Sequence, residues 1–114
     1  MVMSWTVQFY CGVENDIRVM PVGIQSRMIK LLELIELKGP HLGEPHTKSL
    51  GNQLFEVRAK GKEGIGRSLF CYQKDQTIVV LHAYVKKTHK TTRSVIELAL
   101  KRKKDIENGY DETI

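Results

Sequence analysis

The stretch Leu81–Ser94, "LHAYVKKTHKTTRS", opens like a buried strand and closes in a cluster of cations. From Val79 to Lys86 the odd positions Val79, Leu81, Ala83 and Val85 are apolar, while His82, Tyr84 and Lys86 fall on the opposite face of a strand period. One side is expected to pack and the other to present proton donors and charge. Lys86, Lys87, Lys90 and Arg93, together with His89, gather where this strand hands over to "SVIELALKRKKDIEN". That segment carries helical faces through Val95, Leu98 and Ala99, or Ile96 and Leu100, with Ser94 and Glu97 offering a capping box at its start. A charge run of this kind is either a solvated edge or a surface for a polyanion.

The distribution of charge favours the second. The first 57 residues carry a net charge of −1 and the remaining 57 carry +6, so the whole excess of +5 lies in the half that contains the cluster. Concentrated basic charge suits nucleic acid, because neutralising phosphates releases counterions. The length of 114 residues and 41% hydrophobic content fit one globular domain spanning residues 1–114. No apolar run is long enough for a membrane span, and the N-terminus lacks the features of a secretory signal, so a soluble cytoplasmic protein with no membrane partner is expected. Cys11 and Cys71 are read as free, buried thiols.

Moving outward, "SWTVQFY" alternates Trp5, Val7 and Phe9 against Thr6, Gln8 and Tyr10, giving a strand over residues 4–10. A short helical piece over Asn15–Met20 ends at Pro21. In "VGIQSRMIKLLELIELKG", Ile24, Met28, Leu31, Leu32 and Ile35 recur at helical spacing and predict a core-facing helix closed by Gly39 and Pro40. The segment "GPHLGEPHTKSLGN" reads as a loop. "LFEVRAK", "RSLFCYQ" and "TIVVLHAYV" are three strands joined by connections short enough for an antiparallel meander. The predicted fold is therefore α+β, with four strands, and the tail "GYDETI" is expected to fray.

In "LFEVRAK" the apolar Phe55 and Val57 oppose Glu56, Arg58 and Lys60. If the strands share one sheet whose apolar face is covered by the helix of residues 24–37, the other face gathers Arg58, His82, Tyr84 and Lys86. Arg67 begins a neighbouring strand, and parity does not settle its facing. The group suits RNA cleavage, which needs a base for the 2′-hydroxyl, an acid for the leaving oxygen and cations against the charge on phosphorus oxygens. Arginine fits the last role because its planar guanidinium is always charged and grips two oxygens. A lysine crowded by cations could also act as base. "GKEGIGR" lacks the Gly-Lys-Ser/Thr ending of a phosphate loop and reads as a hairpin turn. His41 and His46 have no Cys or carboxylate at ligand spacing, so no metal and no cofactor is expected. "KRKK", Lys101–Lys104, is either an RNA grip or a solvated helix face.

The run "KLLELIELKGPHLGEPHTKSLGNQLFEVRAKGKEGIGRSLFCY" through "IVVLHAYVKKTHKTTRSVIELALKR" resembles the phage-associated HigB-like branch of the RelE/ParE toxin superfamily, over about Val13 to Arg102. The resemblance implies N-terminal helices packed on a curved antiparallel sheet of about four strands, with a C-terminal helix. It also implies a type II toxin that enters the ribosomal A site and cuts mRNA without metal by 2′-hydroxyl attack. The cationic sheet positions of the family fall on Arg58 and Arg67, with His82, Tyr84 and Lys86 as further catalytic candidates. Lys60, Lys87, Lys90, Arg93, Lys101 and Arg102 are the candidates for holding RNA. The partners implied are the ribosome with its mRNA and a helix-turn-helix, HigA-like antitoxin. Glu56 stands where some relatives carry a basic residue, and Thr92 where a proline commonly begins the last helix. Two other functions share the fold: a ParE-like inhibitor of DNA gyrase and a non-catalytic RNA-binding module. The proton-transfer set favours the nuclease.

Overall fold

A computed structural model describes residues 4–43, 46–86 and 90–109. The chain runs β1 (Thr6–Phe9), α1 (Val13–Arg18), α2 (Val22–Lys38), β2 (Thr47–Gly51), β3 (Leu54–Gly61), β4 (Gly64–Gln73), β5 (Thr77–Lys86) and α3 (Arg93–Glu107). One sheet contains all five strands in the order β1-β5-β4-β3-β2. The meander from β3 to β5 is antiparallel, as expected, and β2 extends it antiparallel to β3, but β1 joins the other edge parallel to β5, with Thr6 opposite Thr77 and Phe9 opposite Val80. The fifth strand is β2, which lies in the segment read as a loop. It is turned into β3 by Asn52 and Gln53, whose φ values of 53° and 61° make the primed turn that matches strand twist. A register shift between Ser49 and Gly51 breaks its side-chain alternation, and this irregularity hid the strand from a periodicity reading.

The helical stripe behaves as its spacing predicts. Ile24, Met28, Leu31, Leu32 and Ile35 are all buried on α2, which ends at Gly39 with φ +91°. They meet Val57, Ala59, Phe70, Ile78, Val80 and Ala83 from the sheet, and the shorter α1 adds Val13 and Ile17. Burying each large side chain contributes about 1.5–3 kcal/mol. The approach of α2 is close enough to require glycine: a Cβ on Gly66 would lie 2.4 Å from Cγ2 of Ile24. Gly66 is thus a packing residue, and so is Gly61, whose Cβ would lie 2.6 Å from Cγ1 of Ile24 and which pairs with Gly64 across the β3–β4 hairpin.

The other face of the sheet is not left bare. α3 lays fully buried Ala99, with Val95, Ile96, Leu100 and Ile106, over Leu54, Leu69, Cys71, Val79 and Leu81. This second core corrects the expected facing of β5. Leu69 pairs with His82 but Phe70 pairs with Val80, so Leu81 is an extra residue, a β-bulge. Parity flips there: Val79 and Leu81 share the α3 side with His82 and Tyr84, while Ala83 and Val85 pack on the α2 side. The helix start also differs from expectation. Thr92 is the N-cap residue, no capping side-chain bond forms, and Glu97 pairs instead with Arg93 at 3.2 Å. Cys71 is buried, with its thiol pKa raised by desolvation, whereas Cys11 is exposed; both are free. The tail from residue 110 lies outside the described residues. Among the described residues no helix is long and apolar enough to cross a membrane.

Candidate functional site

Strand register places the predicted residues in three successive rows on the α3 side. The first row is Lys48, Glu56, Leu69 and His82; the second is Arg58, Arg67 and Tyr84; the third is Lys60, Ile65 and Lys86. The inner end of this face is roofed by α3, and the outer end carries Lys60 and Lys86 at the strand ends. Arg58, Arg67, His82, Tyr84 and Lys86 are thus brought together by regular register from His82 to Lys86, on the side expected for His82 and Tyr84.

A carboxylate organises the centre. Glu56 is fully buried, accepts a hydrogen bond from Arg58 Nε at 2.6 Å through one oxygen, and accepts the Thr91 hydroxyl through the other. It aims the guanidinium of Arg58, whose side chain remains 20% exposed, and fastens the β5–α3 crossover to the sheet. Charge-assisted bonds of this kind fix geometry as well as adding stability. Arg67 is 0% exposed and donates from Nη1 to the Lys90 carbonyl at 3.4 Å. Direct contact of Arg67 with a phosphate, the role its sequence position suggests, is therefore closed off here by the crossover above it.

His82 stacks on Tyr84 with ring centroids 5.3 Å apart and planes at 24°. Burial, then the nearby Arg102 guanidinium, hold the imidazole below its ordinary pKa of 6.5, against a smaller opposing pull from Asp16. Two buried polar atoms on this pair, His82 Nδ1 and the Tyr84 hydroxyl, have no hydrogen-bond partner among the described residues. Buried polar groups are nearly always satisfied, and exceptions concentrate where chemistry is done.

Beside the rows, Lys48, Leu50, Arg58, Lys90, Thr91 and Ile96 line an open cleft of about 380 Å³. Lys48, Glu56 as an organiser and Thr91 are the residues that sequence reading missed. Lys48 sits on the unrecognised strand, and a buried carboxylate between basic neighbours gives no signal in the sequence. Lys90, Arg93 and Lys101 are exposed, Arg93 beside Glu97, and Lys87 and His89 lie outside the described residues. Arg102 is part of the packing: it donates to the Leu81 carbonyl at 2.7 Å and lies 4.6 Å over the Tyr10 ring. Lys103 pairs with Glu107 at 2.7 Å. His41 engages the Tyr72 hydroxyl at 3.1 Å on the far side of the sheet, where burial pushes the phenol up to about 12.

This architecture is that of the RelE-type toxins. The fold matches a free-state double arginine-to-alanine mutant of the Escherichia coli toxin RelE with a TM-score of 0.63 at 13% identity, covering 88% of this chain and 98% of that one. It also matches a chain of the RelBE2 toxin–antitoxin complex of Mycobacterium tuberculosis, with a TM-score of 0.52 at 20% identity, covering 73% and 99%. Residues 15–104 match the family described as Phage derived protein Gp49-like (DUF891), and the chain belongs to that family. The expected place in the RelE/ParE superfamily is borne out. None of the curated proteins matches the sequence.

Proposed function

We propose that this protein is the toxin of a type II toxin–antitoxin pair and that it cuts translated mRNA in the ribosomal A site. The observation that carries the reading is the assembly of Arg58, Arg67, His82, Tyr84 and Lys86 on one sheet face, next to a cleft lined by Lys48 and Lys90. In the reaction the 2′-oxygen attacks phosphorus, its proton passes to a base, the bond to the 5′-oxygen breaks, and that oxygen takes a proton. The products are a 2′,3′-cyclic phosphate and a 5′-hydroxyl, and every group required is a side chain.

Arg58 is the guanidinium placed to meet the phosphorane, with Arg67 adding charge from beneath and holding the crossover. His82, kept neutral at pH 7 by its lowered pKa, suits the base, with Tyr84 and Lys86 beside it for the leaving proton. Lys48, Lys60 and Lys90 flank the path of the RNA. The antitoxin is proposed to be a helix-turn-helix, HigA-like protein, and the site of action the translating cytoplasm. Inducing the protein and mapping new mRNA 5′ ends, with and without translation of the message, tests the reading. Cuts confined to translated frames support it; intact messages with collapsing DNA supercoiling would replace it with gyrase inhibition.

A further inference from the structure

The basic run Lys101–Lys104 does not behave as one surface. Lys101 and Lys104 are exposed and Lys103 pairs with Glu107, but Arg102 turns toward the sheet and reaches the register break of β5. Leu81 has no opposite residue on β4 at that break, and it faces α3 together with its neighbour His82. Arg102 Nη1 donates to the Leu81 carbonyl at 2.7 Å. That carbonyl belongs to the planar peptide unit joining Leu81 to His82, so the bond fixes the plane from which His82 departs. Bulges beside active sites re-aim side chains, and this one is held by a side chain from another element.

The guanidinium is itself seated. It lies 4.6 Å over the ring of Tyr10, just past β1, a stack that a planar guanidinium makes better than an ammonium. Among the described residues no carboxylate lies within ion-pair distance of Arg102, so its charge is not cancelled by a paired anion. Around half-buried His82, burial favours the neutral imidazole first, Arg102 of α3 adds to that preference, and Asp16 of α1 opposes both. On the sheet, Tyr84 stacks on the His82 ring and Arg67 stands in the next row. The row of His82 itself continues through apolar Leu69 to Glu56, which is taken up by Arg58 and Thr91, and then to Lys48.

We propose that Arg102 is a positioning residue for His82: it clamps the Leu81 peptide and so presents the imidazole to the scissile nucleotide in one orientation. The inference rests on the proposed nuclease reading and adds to it a residue that touches neither the RNA nor the reacting atoms. The charge of Arg102 serves the same end. A base must be unprotonated to take the 2′-hydroxyl proton, and a cation beside an imidazole favours that form. Lysine would supply the charge without the flat stack on Tyr10 or the fork that reaches the carbonyl.

The test follows His82 and cleavage together across pH in the full chain. Imidazole resonances are titrated by NMR in the wild type, Arg102→Met, Arg102→Gln and Arg102→Lys, with His82→Gln identifying the His82 signal among the four histidines. The His82 midpoint is expected to rise in Arg102→Met and Arg102→Gln and to stay near the wild-type position in Arg102→Lys. Single-turnover cleavage on programmed ribosomes should fall in Arg102→Met by a factor on the order of ten to one hundred, with the acidic limb of its pH profile displaced upward alongside His82. Arg102→Lys should restore the limb and only part of the rate. If Arg102→Met does not fold, Arg102→Gln, which loses the charge but keeps an amide donor, carries the same prediction. An unmoved His82 midpoint in the folded neutral variants, a rate lost equally at every pH, or a lysine variant as slow as the methionine one would overturn the inference. The titration needs no RNA, so a wild type that cuts no message would remove the nuclease reading and leave the coupling of Arg102 to His82 measured on its own.

Discussion

Across β3, β4 and β5, the face of the sheet beneath α2 is apolar apart from two hydroxyls, that of Ser68, which rests 3.3 Å from the Met28 sulfur, and that of Tyr72, which meets His41. The face beneath α3 changes character along the strands, from Leu54, Cys71 and Val79 to Arg58, Arg67 and Tyr84. The difference follows from the two helices. α2 buries five large apolar residues along its length, whereas the one buried residue of α3 is Ala99. A helix that covers only part of a sheet leaves a rigid platform whose remaining side chains are held by strand register and by polar partners, as Glu56 holds Arg58 and the Lys90 carbonyl holds Arg67. That arrangement positions charge without sacrificing the core on the other side.

Substitutions on the two faces should separate stability from activity. On the closed face, Phe70→Ala is expected to cost about 3–5 kcal/mol, read as a fall in the denaturant midpoint. Arg58→Lys keeps a cation beside buried Glu56 but loses the planar fork, so cleavage should slow by a factor on the order of one hundred while the midpoint barely moves. Equal losses in both assays would assign Arg58 to the core instead.

Tyr84→Phe sharpens the contrast. Its hydroxyl is buried without a partner among the described residues, so removing it should leave stability unchanged or raise it by about 1 kcal/mol. Cleavage should nonetheless drop at least tenfold, an order-of-magnitude expectation for loss of a proton-handling group. A variant that is both less stable and fully active would contradict the placement.

The smallest effect is in the pH dependence of stability. The folded pKa of His82 lies below its ordinary 6.5, so the unfolded chain takes up the proton first. Stability from this group is complete above pH 6.5 and declines as pH falls from there to the folded pKa. His82→Gln should flatten that part of the curve, measured as unfolding midpoints between pH 7 and pH 5 (roughly the range in which histidine titrates). An unchanged slope would exclude His82 as its source.

These faces were unequally legible in the sequence. The α2 stripe is a long, regular amphipathic pattern, and every residue expected to be buried there is buried. The cationic candidates were legible as a set because strand parity holds locally at Arg58 and from His82 to Lys86. What parity could not reveal is the bulge at Leu81, which moves Val79 and Leu81 to the other side. Nor could it reveal β2, broken by its register shift, or the parallel entry of β1, which depends on a pairing about seventy residues distant. In the sequence Glu56 stands only as a departure from a basic pattern; the fold reveals it gripping Arg58 and Thr91 at once. Arg102, a candidate for holding RNA on sequence grounds, is committed to packing by an acceptor, the Leu81 carbonyl, 21 positions away.

On the proposed function, the α3-side face cleaves RNA by activating the 2′-hydroxyl. Purified protein should be added to ribosomes programmed with a message carrying a single 2′-deoxyribose at a mapped cut site, alongside the all-ribose message. The account predicts cleavage of the ribose message, with a 5′-hydroxyl on the downstream fragment, and no cut at the deoxyribose position. Equal cleavage of both messages, or a 5′-phosphate at the new end, would contradict it.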